Sequence, residues 1–216
     1  MMHTARIIAM TQHPDMTPEE FVAYCARVSN PANQENHATA SRLLRYLVTH
    51  KHWSPFEMVT IVMEVTTTRD IARQILRHRS FSFQEFSQRY ADPTESLGFA
   101  KRELRYQDPK NRQGSIDGSD DDPAYEEWVN IQDSMMTKAE QYYRAALALG
   151  IAKEQARALL PEGLTISRLY MSGSLRSWLH YCAVRCDAGT QKEHRQVAES
   201  AKAALCDAFP SLIELL

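Results

Sequence analysis

Residues 57–67, EMVTIVMEVTT, alternate apolar and polar side chains, with Val59, Ile61, Met63 and Val65 on one side. A period of two in β-branched residues predicts a half-buried strand. ARIIAM at 5–10 predicts a short strand, and residues 164–171 another. Elsewhere the period is three and four. Thr17-Pro18-Glu19-Glu20 joins a capping box to a proline at the first helical position, which predicts a helix to about Val28 with Phe21, Tyr24, Cys25 and Val28 on one face. Leu43, Leu44, Leu47 and Val48 mark a helix over about 38–50. A further helix is expected from Arg69 to Arg77, with Ile71, Ala72, Ile75 and Leu76 inward. Pro123 opens a long helix on which Trp128, Ile131, Met135, Ala139, Tyr142, Ala146 and Leu149 recur, and Gly150 ends it. A short helix carries Gln155 to Leu160, and another runs from about Ser174 to Arg185. A second capping box, Thr190 with Glu193, opens a last helix to about Phe209.

Two stretches break the pattern. Residues 80–90 alternate at first and lose their period at Phe86, an extended segment turning irregular. Residues 107–123, QDPKNRQGSIDGSDDDP, are polar and rich in Gly, Pro and Asp, and predict an exposed or mobile loop inserted into a single domain, 1–216. Strands early and helices late, with long helices in the C-terminal half, give the class α+β with a modest sheet.

Composition narrows the choices. A chain of 216 residues is long enough to bury about 70% of its unfolded surface in one core. Lys and Arg number 25 against 27 Asp and Glu, so the formal net charge is −2. Nucleic-acid binders carry a basic excess, and none is present. No apolar run reaches the roughly 20 residues of a membrane span, and MMHTARIIAM has no signal-like core. Cys25, Cys182, Cys186 and Cys206 form no C-x-x-C pair and are expected as reduced thiols in a cytoplasm. Cys182 and Cys186 lie near His180, but no second ligand pair of zinc-like spacing accompanies them, so no metal is expected.

The chemistry concentrates at 77–90, RHRSFSFQEFSQRY. Arg69, Arg73 and Arg77 lie at i, i+4 and i+8 on one helix face, and His78 and Arg79 extend it. Like charges at that spacing repel and call for an anion, and the arginine fork suits phosphate. The plainer alternative is a solvated basic face paired to Asp70, Glu64 or Glu85. Glu85 is either a salt-bridge partner or a hold on a ribose or an imide N–H. Ser82 and Ser87 lack a G-x-S-x-G elbow, which argues against a serine hydrolase. Phe81, Phe83, Phe86 and Tyr90 are core residues or a platform for a flat ring. His52-Trp53-Ser54-Pro55-Phe56-Glu57 is a turn leading into a strand. Arg157 precedes Leu-Leu-Pro, and Arg176 and His180 share a helix face with Arg185 nearby. Basic groups in four separated segments of an acidic chain fit a site for several anions. A nucleic-acid module and a catalytically inactive interaction protein are the alternatives.

Arg77-His78-Arg79 through Ser87-Gln88-Arg89-Tyr90 resembles the signature of flavin-dependent thymidylate synthases. Ala26-Arg27-Val28-Ser29, His52-x-Ser54-Pro55-Phe56-Glu57, Ala72-Arg73-Gln74, Arg157 before Leu160-Pro161, and Arg185 before Gln191-x-Glu193 follow in the family's order. The resemblance implies methylation of dUMP at C5 to dTMP, with methylenetetrahydrofolate as carbon donor and NADPH-reduced FAD as hydride donor. It implies that Ser54, Arg77, His78, Arg79, Glu85, Ser174, Arg176 and His180 touch FAD, with Arg176 and His180 coming from another subunit. Gln74, Arg77, Glu85, Phe86, Ser87, Gln88, Arg89, Arg157 and Arg185 would surround dUMP. Arg185 would be catalytic, facing the pyrimidine, and His52 would line the folate side. The implied architecture is a twisted antiparallel sheet flanked by helices, in a homotetramer with shared active sites. Gln84, Met58 and His180 depart from residues common in the family at those places.

Overall fold

The computed structural model describes residues 2–215, with side chains to 212. In chain order the elements are β1 (Thr4–Met10), α1 (Pro18–Ala26), α2 (Ala40–Thr49), β2 (Thr60–Thr68), α3 (Arg69–Ile75), β3 (Ser82–Glu85), α4 (Pro93–Ser96), β4 (Arg105–Gln107), β5 (Ser115–Asp117), α5 (Tyr125–Ala148), α6 (Lys153–Ala156), β6 (Ile166–Ser174), α7 (Leu175–Arg185) and α8 (Lys192–Ala208). Short 3-10 turns fill several joints, among them Ser54–Met58 and Arg157–Leu159.

The two long strands β2 and β6 pair antiparallel from Thr60 against Ser174 to Thr68 against Ile166. β1 joins the other edge of β2 and β3 the other edge of β6, so the sheet runs β1-β2-β6-β3. Alternation decides the buried face. Ile61, Met63 and Val65 on β2 and Leu169 and Met171 on β6 are fully buried, and the register sets Met63 opposite Met171 and Val65 opposite Leu169. Val22 of α1, Leu44 of α2, Trp178 of α7 and Leu205 of α8 close over the same layer. Each such aliphatic side chain stabilises the fold by roughly 1.5–3 kcal/mol. The Trp178 indole is buried whole and donates its N–H to the Ile61 carbonyl at 3.2 Å, which pins α7 to β2. An antiparallel sheet flanked by helices is therefore observed, with 24 residues in α5 and 17 in α8.

Four local expectations change. The polar stretch after residue 107 carries β5, which pairs with β4 as an antiparallel hairpin. Asp108, Asn111 and Gly114 turn it, with Asp108 N–H donating to the Gly114 carbonyl at 3.2 Å. Polar composition marked the turn and hid the short strand beside it. On α1, Val22 and Ala23 are buried while Val28 lies beyond the helix and is exposed. On α5, Gln132, Ala139, Tyr143 and Ala146 face inward, whereas Ile131, Met135 and Tyr142, and Leu149 at the C-cap, are exposed. Gln132 fixes that rotation, because its amide accepts from the Arg102 N–H at 2.6 Å and donates to the Arg102 carbonyl at 3.1 Å. A backbone segment with no strand partner holds that face more firmly than apolar area does. The Thr17 box forms as expected, with reciprocal bonds to Glu20. The Thr190 box does not: Gln191 is the N-cap of α8, and Glu193 turns into a buried arginine pair.

Candidate active site

The link from α3 to β3 carries Arg77, His78 and Arg79 along α7. Phe81 anchors it, its ring edge-on to Trp178 at 4.8 Å between centroids. Ser177 Oγ donates to the Ser80 carbonyl at 3.3 Å, and Arg185 Nε donates to His78 Nε2 at 2.9 Å. The link therefore follows α7 from its last turn toward its first. Burial, and then the Arg185 guanidinium, push the His78 imidazole down to about 4. His78 is neutral at physiological pH, and its Nε2 is the acceptor that Arg185 requires. Arg77 and Arg79 are exposed and have no acidic partner among the described residues.

Beneath this link lies a polar chain. Gln74 Nε2 donates to Gln191 Oε1 at 2.8 Å, and Gln191 Nε2 donates to Glu193 Oε2 at 3.0 Å. His194, fully buried, meets Gln74 Oε1 through Nδ1 at 3.2 Å and the Tyr181 hydroxyl through Nε2 at 3.1 Å. Its ring centroid is 6.2 Å from that of His78. Burial, followed by Arg185 and His78, drives the His194 imidazole down to about 3. Burial pushes the Glu193 carboxyl up, but its backbone N–H with Arg102 and Arg105 outweighs that and holds it low. Arg105 hydrogen-bonds Glu193 Oε1, and Arg102 Nη1 stands 3.2 Å from the same oxygen as an ion pair without hydrogen-bond alignment.

A second group gathers at the other end of α7. Ser174 is the N-cap and accepts from the Ser177 N–H at 3.3 Å. Arg176 Nη1 donates to Glu57 Oε1 at 2.9 Å, from the turn that also carries Ser54. The Ser174 hydroxyl, then Arg176, hold the Glu57 carboxyl below its usual range. His180 lies edge-on to Trp53 at 4.6 Å, and His52 edge-on to Tyr46 at 6.0 Å. Tyr46 also stacks on His50 and borders a cavity of about 510 Å³ between α1 and α2, lined by Arg27, Ser29, Asn30, Asn33 and Arg42.

The third group surrounds the end of β3. Glu85 Oε1 accepts from Ser167 Oγ at 2.8 Å and from Arg69 Nη1 at 3.4 Å. Arg73 reaches Glu162 at 3.0 Å, so two arginines of the expected basic face are neutralised within the fold. Asp70 turns instead to Arg102 at 2.6 Å and Glu64 to Arg6 at 2.8 Å. The Phe86 N–H donates to the Arg168 carbonyl at 2.8 Å, carrying the chain past β3 into the 87–90 turn. There Ser87 is exposed, Gln88 is only 4% exposed, and Arg89 pairs with Glu154 at 3.0 Å. Arg157, half-buried just after α6, has no acidic partner among the described residues.

Of the residues singled out in the sequence, the structure brings Arg185 to His78, Arg176 and Ser174 to Glu57, and Glu85 to the strand end before Ser87. The sequence reading missed His194, Tyr181, Arg102 and Arg105. His194 had a signal: it shares the apolar face of α8 with Val197, Ala198, Ala201 and Leu205, where a lone histidine needs buried partners.

Comparison with known proteins adds the following. The family model described as thymidylate synthase complementing protein matches residues 7–211. A flavin-dependent thymidylate synthase of Synechocystis sp. is 52% identical over 202 residues, covering 93% of this chain and 90% of its own. A probable flavin-dependent thymidylate synthase of Paramecium bursaria Chlorella virus 1 is 47% identical over 201 residues, covering 93% of this chain and 91% of its own. A solved structure of a UMP/dUMP methylase, PolB of Streptomyces cacaoi bound with 5-Br dUMP, is similar with TM-score 0.78 and 26% identity, covering 98% of this chain and 95% of that one.

Proposed function

The chain belongs to the thymidylate synthase complementing protein family, and on that premise we propose that it is a flavin-dependent thymidylate synthase methylating dUMP at C5 to dTMP. The observation that carries the reading is the Arg185–His78 contact inside the Arg77-His78-Arg79 link. A neutral His78 takes one N–H of Arg185 and leaves the charge and both terminal nitrogens of the guanidinium for a ligand. An arginine so placed faces the pyrimidine and stabilises the negative charge on the ring after N3 loses its proton. That electron-rich ring then reacts through C5 with the one-carbon unit of methylenetetrahydrofolate. Ser87 has no histidine hydrogen-bonded to it among the described residues, which supports a binding role rather than that of a nucleophile.

FAD fits the donors present. Arg77 and Arg79 suit its phosphates, and Ser54, His78, Glu85, Ser174, Arg176 and His180 would help to hold the rest of it. A bound flavin, reduced by NADPH, supplies hydride chemistry that these side chains lack. Gln74, Arg77, Glu85, Phe86, Ser87, Gln88, Arg89, Arg157 and Arg185 hold dUMP, its phosphate against the arginines. His52 lines the folate side, beside the cavity bordered by Tyr46.

In a homotetramer the two ends of α7 serve neighbouring pockets, Arg185 this chain's own and Arg176 and His180 a neighbour's flavin. The exposed Ile131, Met135 and Tyr142 of α5, with Leu149 at its C-cap, support association. Free cysteines support a reducing, cytoplasmic setting. The whole chain, 1–216, acts as one catalytic domain, and no described helix is long and apolar enough to cross a membrane.

Tritium release from dUMP labelled at C5 tests the reading, with FAD, NADPH and methylenetetrahydrofolate supplied. Release dependent on all three is expected. No release from a protein that binds flavin would overturn the substrate. UMP labelled at C5 runs beside it, because the solved relative is a UMP/dUMP methylase.

A further inference from the structure

The hydrogen bonds around Gln74 have one consistent direction. Glu193 is ionised and can only accept, so the group facing it at 3.0 Å is the Gln191 amide nitrogen. That turns Gln191 Oε1 toward Gln74, which must answer with its own Nε2–H at 2.8 Å. Gln74 Oε1 therefore faces His194, whose Nδ1 at 3.2 Å must carry the ring proton. His194 Nε2 is then the acceptor for the Tyr181 hydroxyl at 3.1 Å. Reversing either amide would set donor against donor or acceptor against acceptor, and the partners at the two ends, Glu193 and His194, are buried.

We propose that Glu193 and His194 are positioning residues that hold the Gln74 amide in one of its two orientations for the nucleotide. The inference rests on the reading of Gln74 as a dUMP-binding residue. His194 closes the chain on one side and the Glu193–arginine pair polarises it from the other. Gln74 offers the nucleotide one remaining N–H and one remaining lone pair, in fixed places. With His194 removed, the amide loses half its restraint and samples the reversed orientation, so dUMP binding weakens although nothing touching dUMP has been replaced.

Titration calorimetry with dUMP on the flavin-loaded protein tests this, using wild type, His194→Leu, His194→Asn and His194→Gln. Asparagine places an amide near the Nδ1 position, whereas glutamine places it near Nε2. The expected result is dUMP binding about three- to tenfold weaker in His194→Leu and His194→Gln, restored by His194→Asn, with KM for dUMP rising more than kcat falls. Equal affinities in the three variants and wild type would overturn the positioning role. Should His194→Leu fail to fold, the Asn and Gln variants decide alone, equal affinity again counting against it. Wild type that bound no dUMP would overturn the nucleotide reading itself, a different result from dUMP binding that ignores residue 194.

Discussion

Arg185 Nε and His78 Nε2 meet at 2.9 Å, two groups 107 positions apart in the chain. The bond joins the end of α7 to the link after α3, and it ties the arginine's direction to the neutrality of the histidine.

Arg185→Ala is expected to fold and to take up flavin while losing turnover. Loss of one charge-assisted contact costs about 1.5–3 kcal/mol, or about ten- to a hundredfold in kcat. Flavin absorbance and dTMP formation, measured on the same preparation, check it. Near-normal dTMP formation would remove Arg185 from the catalytic role.

Acid should destabilise the protein partly through His194. Burial pushes its folded imidazole down to about 3, against the ordinary 6.5 of an exposed histidine. Between those values the unfolded chain holds a proton that the folded chain does not. Stability therefore falls as pH drops from about 6.5 toward 3, by about 1.4 kcal/mol per pH unit for one group. His78 adds the same trend down to about 4. Urea unfolding at stepped pH should show a slope shallower by about one proton in His194→Asn. Carboxylates contribute to both curves and drop out of the comparison. Identical slopes would mean that His194 is not held neutral.

Gly173→Ala should loosen the site without touching a ligand. A Cβ there would lie 2.4 Å from the Phe81 ring, which is packed against Trp178 and has no room to retreat. Overpacking of this kind costs about 1–3 kcal/mol. Because Phe81 anchors the Arg77–Arg79 link, flavin affinity should fall together with Tm. A variant with wild-type Tm and flavin affinity would contradict the packing described.

The two capping boxes should behave differently. Thr17→Ala removes a formed cap and should cost about 1 kcal/mol. Thr190→Ala removes only a 3.4 Å bond to the Val184 carbonyl and should stay within about 0.5 kcal/mol. Denaturant midpoints of the two variants give the comparison directly.

Much of this was legible in the chain. The period-two pattern named β2 and its buried face, because Val59, Ile61, Met63 and Val65 all lie inside. The Thr17 box named its helix, and the Arg77-His78-Arg79 motif named the link. Local chemistry suffices where a residue's partner is three or four positions away, or where a whole face meets one core.

The sequence by itself determined where the longer strands and helices lie, which residues carry charge, and the family they resemble. Only the tertiary structure decided which charges remain for a ligand. Glu162 and Glu85 neutralise Arg73 and Arg69, while Arg77 and Arg79 stay without an acidic partner among the described residues. It also turned Glu193 from a helix cap into the buried anchor of a polar chain, and α5 onto its Gln132 face. The physical reason is that a buried donor or acceptor must find its partner wherever the fold brings one, whereas helical and strand periods register only neighbours along the chain.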